Sequence, residues 1–287
     1  MIAPMTGLPA CVRLVIFDLD GVVYRGAEPV PGAAALVAFL HERGVAVRFA
    51  TNNSMVARAG YVERLGAMGI ATGVDEIVTS TSATIEYLRR HAPGVRSVLA
   101  IGADGMRDEL EAAGYDVTMA GDAAGVDHAG GPLARRFDAV LVGLDPSVDY
   151  RRLAAAMRAV ADGARLIATN ADARYPTAEG FLPGAGSIVA ALATATGVVP
   201  DVIGKPAPAM FVAILEESGV PSGEAVVVGD NPDADVVGAS RAGIASILVL
   251  TGVADRSSVA GLVGERLPTA VAEGPDEVRA ILEDRVS

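Results

Sequence analysis

Two carboxylates one residue apart, Asp18 and Asp20, follow the apolar run Leu14-Val15-Ile16-Phe17 and are followed at once by Gly21. An acid pair at the tip of a buried strand can hold a metal, act as a nucleophile, or do both. Alone, Asp-x-Asp-Gly also reads as an ordinary acidic turn, so the chemistry needs partners elsewhere in the chain. Two more apolar strands supply them. Residues 45–50 run into Thr51, Asn52, Asn53 and Ser54, and residues 225–228 run into Gly229-Asp230-Asn231-Pro232-Asp233-Ala234-Asp235. In a single parallel sheet these tips share the carboxyl edge, where open α/β folds bind ligands. If the chain stays extended through Asp20, the period of two points both its carboxylates the same way.

Several carboxylates without histidine or cysteine nearby make an oxygen-rich site, which suits magnesium rather than zinc. Asp230 and Asp235 are then the dedicated ligands, and Asp233 is assigned to capping the helix that follows. Lys205, in Gly204-Lys205-Pro206, is the only lysine, the other 22 basic residues being arginine. A compact ammonium on a thin stem suits the neutralisation of one crowded oxygen. Beside a metal and this lysine, Thr51, Asn52 and the backbone N–H groups of the next helix start become a phosphate cradle.

The elements that must position these residues can be read from the pattern. Helical periodicity is expected over 33–43, 56–68, 82–91, 106–113, 151–161, 188–196, 208–218, 233–242 and 277–284, and strands over 77–79, 98–101, 139–142, 166–168 and 246–250 besides those above. Alternation of strand and helix is the signature of a parallel sheet. The glycine- and alanine-rich stretch 120–132 is expected to be irregular and 170–186 turn-rich, so a second α/β unit is inserted over 82–184, between core segments 1–81 and 185–287.

Composition excludes several functions. The net charge of −12 and pI near 4.7 give no basic field for nucleic acid or anionic lipid, so neither a nucleic-acid nor a membrane partner is expected. An anionic substrate must instead be held by a local cation. Residues 181–200 carry no charge, but Pro183, Gly184, Gly186, Gly197 and Pro200 break the stretch into loop plus buried helix rather than a membrane span. The single cysteine, Cys11, rules out an intrachain disulfide, and the N-terminus lacks a signal-peptide pattern, so the cytoplasm is the expected compartment. His41, His91 and His128 stand far apart and read as helix surface or loop.

The segments DLDGVVY, TNNS, GKP and GDNPDAD, in this order and spacing, resemble the four motifs of the haloacid dehalogenase superfamily of phosphohydrolases. YRGAEPVPGA after the first, PGAGS before the third and the long insertion between second and third resemble its class IIA phosphatases, which act on nitrophenyl phosphate, phosphoglycolate, pyridoxal phosphate, glycerol phosphate or nucleotides. The likeness covers about residues 12–252. It implies a Rossmann-like parallel-sheet α/β hydrolase core with an inserted α/β cap domain, and a magnesium-dependent phosphomonoester phosphatase. It makes Asp18 the nucleophile, Asp20 the general acid/base, Thr51, Asn52 and Asn53 phosphoryl binders and Lys205 the charge-neutralising lysine. Asp230 and Asp235 become Mg2+ ligands with the Asp18 carboxylate and the Asp20 carbonyl. Ala234 departs from the threonine common at that position, which touches a supporting hydrogen bond and not the metal site.

Class IIA relatives draw specificity from the region matching 170–183, so Asn170, Asp172, Arg174 and Tyr175 are expected to contact substrate, with a small polar leaving group such as glycerol or glycolate. A nucleotide or pyridoxal-phosphate phosphatase is the alternative within the family; for this chain, the partners expected are a small phosphorylated metabolite and a second copy in a homodimer. Outside it stand a dehalogenase, which needs neither Asp20 nor a metal, and a receiver-like phospho-sensor, which would not turn over.

Overall fold

The structure, a computed structural model, describes residues 7–123, 133–177 and 180–286. His128 and most of the stretch 120–132 lie outside the described residues. The chain forms two compact units: one takes in the chain up to Thr51, Arg58–Val78 and everything from Lys205, and the other takes in Asn52–Ala57 and Thr79–Gly204.

The first unit is built on a six-stranded sheet. Its strands run in the order Ala270–Ala272, Ala245–Val249, Ala225–Gly229, Leu14–Phe17, Ala46–Thr51, Ile77–Thr79. Every pairing from Ala46–Thr51 across to Ala270–Ala272 is parallel. Leu14–Phe17 is buried along its whole length, as are Ala225–Gly229 and Ala245–Val249, which is why these strands read as unbroken apolar runs rather than alternating ones. Helices Ala33–Glu42 and Pro275–Leu282 contribute Leu36, Val37, Phe39, Leu40, Val278 and Leu282 to the core against them. Each such side chain, fully withdrawn from water, contributes roughly 1.5–3 kcal/mol.

The second unit carries a five-stranded parallel sheet in the order Asp201–Val202, Arg165–Ala168, Ala139–Val142, Ser97–Ile101, Asp116–Met119. Helices Tyr150–Ala161 and Ala185–Thr196 share its core through Ala155, Ala156, Ala159, Ile188, Val189 and Leu192. Both units are α/β, as expected from the alternation of elements.

Several expectations need correction. The inserted unit extends to Gly204, not 184, because Asp201–Val202 pairs with Arg165–Ala168 and the helix after residue 184 packs on Tyr150–Ala161. Ser54 belongs to it too, its Oγ accepting from Leu144 N at 3.1 Å. The turn-rich stretch 170–186 contains an antiparallel hairpin, Arg174–Thr177 with Gly180–Pro183. Its strands hide few apolar residues, so no periodic pattern marks them. Strands Asp116–Met119 and Ala270–Ala272 were not foreseen for a related reason, being short edge strands only partly buried. The helix expected over 233–242 is a π-helical turn, Pro232–Val236, running into an α-helix, Val237–Ala242.

His41 and His91 lie on helix ends, His41 Nε2 3.3 Å from Glu76 Oε1 and the His91 ring 4.9 Å from that of Tyr87 at a tilt of 37°. Among the described residues no helix is long and apolar enough to cross a membrane.

Candidate active site

The chain begins the first sheet at Leu14–Phe17, builds outward on one side through Ala46–Thr51 and Ile77–Thr79, and returns on the other through Ala225–Gly229. The switch point of an open parallel sheet therefore falls between Leu14–Phe17 and Ala225–Gly229, and the crevice outside its carboxyl end is where such folds bind ligands. Phe17 is in register with Val228 and Phe49. Asp18 continues that ladder by one bond, its N–H donating to Val228 O at 2.9 Å. Asp18, Asp230 and Thr51 thus stand at the tips of three adjacent strands.

The chain does not stay extended through Asp20. Gly21 takes the left-handed conformation, φ +81°, and the Leu19 carbonyl accepts from the N–H groups of both Val23 and Tyr24, closing a tight turn. This turn, and not strand periodicity, sets where Asp20 points. It leaves Asp20 solvent-accessible while Asp18 is largely covered.

Lys205 is the centre of the cluster. Only 3 % exposed, its Nζ donates to Asp18 Oδ1 at 2.5 Å, Asp235 Oδ1 at 2.7 Å and Ala50 O at 3.0 Å. Burial opposes its charge, but Asp18 and Asp235 outweigh that and hold the ammonium above the usual lysine range. All three of its N–H groups are therefore used, and it is charged.

One ammonium faces three acids. One oxygen each from Asp18, Asp230 and Asp235 lie within 4.8 Å of one another. Burial, then Asp235, push Asp230 up to about 7. Burial raises Asp18 as well, Asp235 and Asp230 adding to it and Lys205 opposing. Asp20 is raised by the protein crowded around its carboxyl, against Arg64 and Lys205. Carboxylates packed this closely resist being ionised together without a cation, and an all-oxygen donor set fits a hard divalent ion such as Mg2+. Asp18, Asp230 and Asp235 are the residues that could hold it.

The cluster is tightly walled. Asp230 Oδ2 accepts from Val253 N at 2.7 Å, and Asp235 Oδ2 from Asn231 N at 3.1 Å. A Cβ on Gly252 would lie 1.9 Å from Asp230 Oδ2, and one on Gly21 2.2 Å from it, so Asp230 fits only because both neighbours are glycine. Asp233 is not the helix cap. Asn231 is, its Oδ1 accepting from Asp233 N at 2.9 Å and Ala234 N at 3.3 Å, while Asp233 pairs with Arg266 on the surface.

In the second unit Asn52, Asn170 and Asp172 come together, with Asn52 Nδ2 3.0 Å from Asp172 Oδ2. Asn53 Oδ1 is taken up locally by Met55 N at 2.8 Å. Arg174 and Tyr175 lie on the hairpin instead, Arg174 over the Phe181 ring. Two contributors escaped the sequence reading. Thr251 Oγ1 donates to Gly21 O at 2.6 Å and steadies the Asp20 turn, and its place after strand Ala245–Val249 was the available signal. Arg64, over the Tyr24 ring at 3.7 Å, reads in sequence as an ordinary solvated helix residue.

The chain matches the haloacid dehalogenase-like hydrolase family over residues 15–116 and a second, HAD-hydrolase-like, family over 202–277. It is 36 % identical over 247 residues to an acid sugar phosphatase of Staphylococcus aureus, covering 86 % of this chain and 90 % of that one. The chain belongs to the haloacid dehalogenase-like hydrolases. Two solved structures agree: a 4-nitrophenylphosphatase from Thermotoga maritima (TM-score 0.83, 32 % identity, 94 % of this chain and 97 % of the other) and a glycerol phosphate phosphatase from Mycobacterium tuberculosis in complex with magnesium (TM-score 0.80, 32 % identity, 95 % and 78 %). Within the family it sits among the class IIA phosphatases, and it is a phosphoric monoester hydrolase. In this HAD-like phosphatase the first family match carries Asp18, Asp20 and Thr51, and the second carries Lys205, Asp230 and Asp235.

Proposed function

We propose that this phosphatase hydrolyses small phosphomonoesters with magnesium, through a phosphorylated Asp18. The observation that carries the proposal is Lys205 Nζ held between Asp18 and Asp235, with the oxygens of Asp18, Asp230 and Asp235 gathered beside it.

Asp18 attacks phosphorus and the ester oxygen departs, dividing one difficult hydrolysis into two transfers. Asp20, raised toward the protonated form and accessible to solvent, gives its proton to the leaving alkoxide. The resulting Asp20 carboxylate takes a proton from the water that attacks the aspartyl phosphate, returning both acids to their starting state. Lys205 offsets phosphate charge so that an anionic nucleophile can approach, and Thr51, Asn52 and Asn53 provide the cradle. Asp18, Asp230, Asp235 and the Asp20 carbonyl would hold Mg2+, which when bound supplies further charge neutralisation at the phosphoryl oxygens.

For the leaving group we favour a small polar alcohol of the glycerol, glycolate or sugar kind, with Arg174 and Tyr175 contacting it. The similarity to an acid sugar phosphatase and to a glycerol phosphate phosphatase supports this over nucleotides or pyridoxal phosphate. The single exposed cysteine, Cys11, fits the cytoplasm, and we take a homodimer as the working assembly. A screen of phosphorylated metabolites with magnesium, repeated with chelator, tests the proposal. Steady phosphate release only with magnesium is expected; equal release in chelator, or a single phosphorylation without turnover, overturns it.

A further inference from the structure

Asn52 is gripped at both ends by residues of the second unit. Its side-chain Nδ2 faces the Asp172 carboxylate, 3.0 Å from Oδ2 and 3.2 Å from Oδ1. Its carbonyl oxygen accepts from Asn170 Nδ2 and from Ser80 Oγ, each at 2.7 Å. A carboxylate only accepts, so it selects one of the two flips of the Asn52 amide and holds the nitrogen toward itself.

The backbone of Asp172 is itself held at both its N–H and its carbonyl. Its N–H donates to Asn170 Oδ1 at 3.1 Å, and its carbonyl accepts from Gly186 N at 2.9 Å. A Cβ on Gly184 would lie 2.1 Å from Asp172 O, so the glycines of PGAGS let the start of helix Ala185–Thr196 close onto this loop. The start of the stretch after Thr169 is therefore braced, and the side chains of Asn170 and Asp172 point at Asn52. The charge of Asp172 makes its bond to the Asn52 amide stronger than a neutral one.

We infer that Asp172, steadied by Asn170, is a positioning residue for the phosphate-binding loop and not a contact to the leaving group. It acts through Asn52, whose peptide bond joins this braced cluster to Thr51 at the tip of its strand. The inference rests on Asn52 belonging to the phosphate cradle. It separates two tasks within the cap segment, leaving substrate choice to Arg174 and Tyr175 on the hairpin.

A double-mutant cycle decides it. Asp172→Ala should lower kcat/KM on the order of tenfold, the size expected from one charged hydrogen bond. The loss should be equal for nitrophenyl phosphate, glycerol phosphate and a sugar phosphate, and should come with weaker inhibition by inorganic phosphate. In an Asn52→Ala background the same substitution should cost nothing further. Asp172→Asn, which keeps the volume and one acceptor, should recover part of the loss, and running the cycle with it covers the case in which the alanine variant does not fold. Additive losses, or a changed ranking of substrates, overturn the inference alone. Wild-type kinetics in Asn52→Ala overturn it together with the place of Asn52 in the cradle.

Discussion

Lys205 Nζ lies 2.5 Å from Asp18 Oδ1 although 187 residues separate the two in the chain. The contact joins the end of the first strand to the residue that opens the chain's return to the first unit. It brings one buried cation onto the carboxylate that must attack an anion. Lys205→Arg is accordingly not conservative. Its planar fork cannot occupy a site shared by Asp18, Asp235 and Ala50 O without pushing them apart. Turnover should fall about a hundredfold or more, the size of losing one preorganised electrostatic contact. Unchanged kcat would remove Lys205 from the mechanism.

Asp18→Asn keeps the side-chain volume and removes the nucleophile. Phosphate release should vanish while thermal unfolding still shows a folded protein. Asp20→Asn should instead accumulate phosphorylated enzyme, since water attack then lacks its base. Intact-protein mass spectrometry after mixing with substrate reads the difference, and near-wild-type turnover in either variant counts against the assignment.

Metal binding should couple to stability in a pH-dependent way. Asp230 is pushed up to about 7 in the folded chain, chiefly by burial, whereas an unfolded aspartate releases its proton near pH 3.9. Between these values the folded state binds the extra proton. This contribution to stability is complete below the unfolded value and is lost as pH rises through about 7. Without metal the protein should therefore be less stable at about pH 8 than at about pH 5 as far as this group decides, and magnesium, by binding the folded state, should close the gap. Melting temperatures at both pH values, with chelator and with magnesium, provide the check. A magnesium shift no larger at the higher pH is the contrary result.

Gly252→Ala would put a methyl group 1.9 Å from Asp230 Oδ2 in the present backbone. Relief requires displacing Asp230 or the loop, at roughly 1–3 kcal/mol of stability. Magnesium affinity measured by calorimetry should fall with it. Wild-type affinity would mean that the loop yields without moving the carboxylate.

Replacing Arg174 and Tyr175 with alanine should reorder substrates while leaving magnesium dependence and phosphate inhibition unchanged. Their hairpin exposes Phe181 and Leu182 as well, so loss of the Arg174–Phe181 contact should cost little stability. Equal loss for every substrate would assign the hairpin to stability and send the search for specificity elsewhere in the second unit.

What the chain's local pattern determined was the set of acidic and amide tips. Leu14–Phe17 and Ala225–Gly229 are buried along their whole length and Ala46–Thr51 over its last three residues, so their apolar residues and the polar ones that end them are adjacent in sequence and visible there. The lone lysine was visible for the same reason, as a departure in composition. Hydrogen bonds between distant segments leave no such trace. That Lys205 reaches both Asp18 and Asp235, that Asn231 and not Asp233 caps the turn, and that Asp172 meets Asn52 across 120 residues were decided by tertiary structure. The boundary of the inserted unit was decided there too, because two residues, Asp201 and Val202, extend its sheet by parallel pairing with no periodic signal of their own. Burial and strand tips are properties of a few consecutive residues. Which tips and which side chains meet depends on how the whole chain closes.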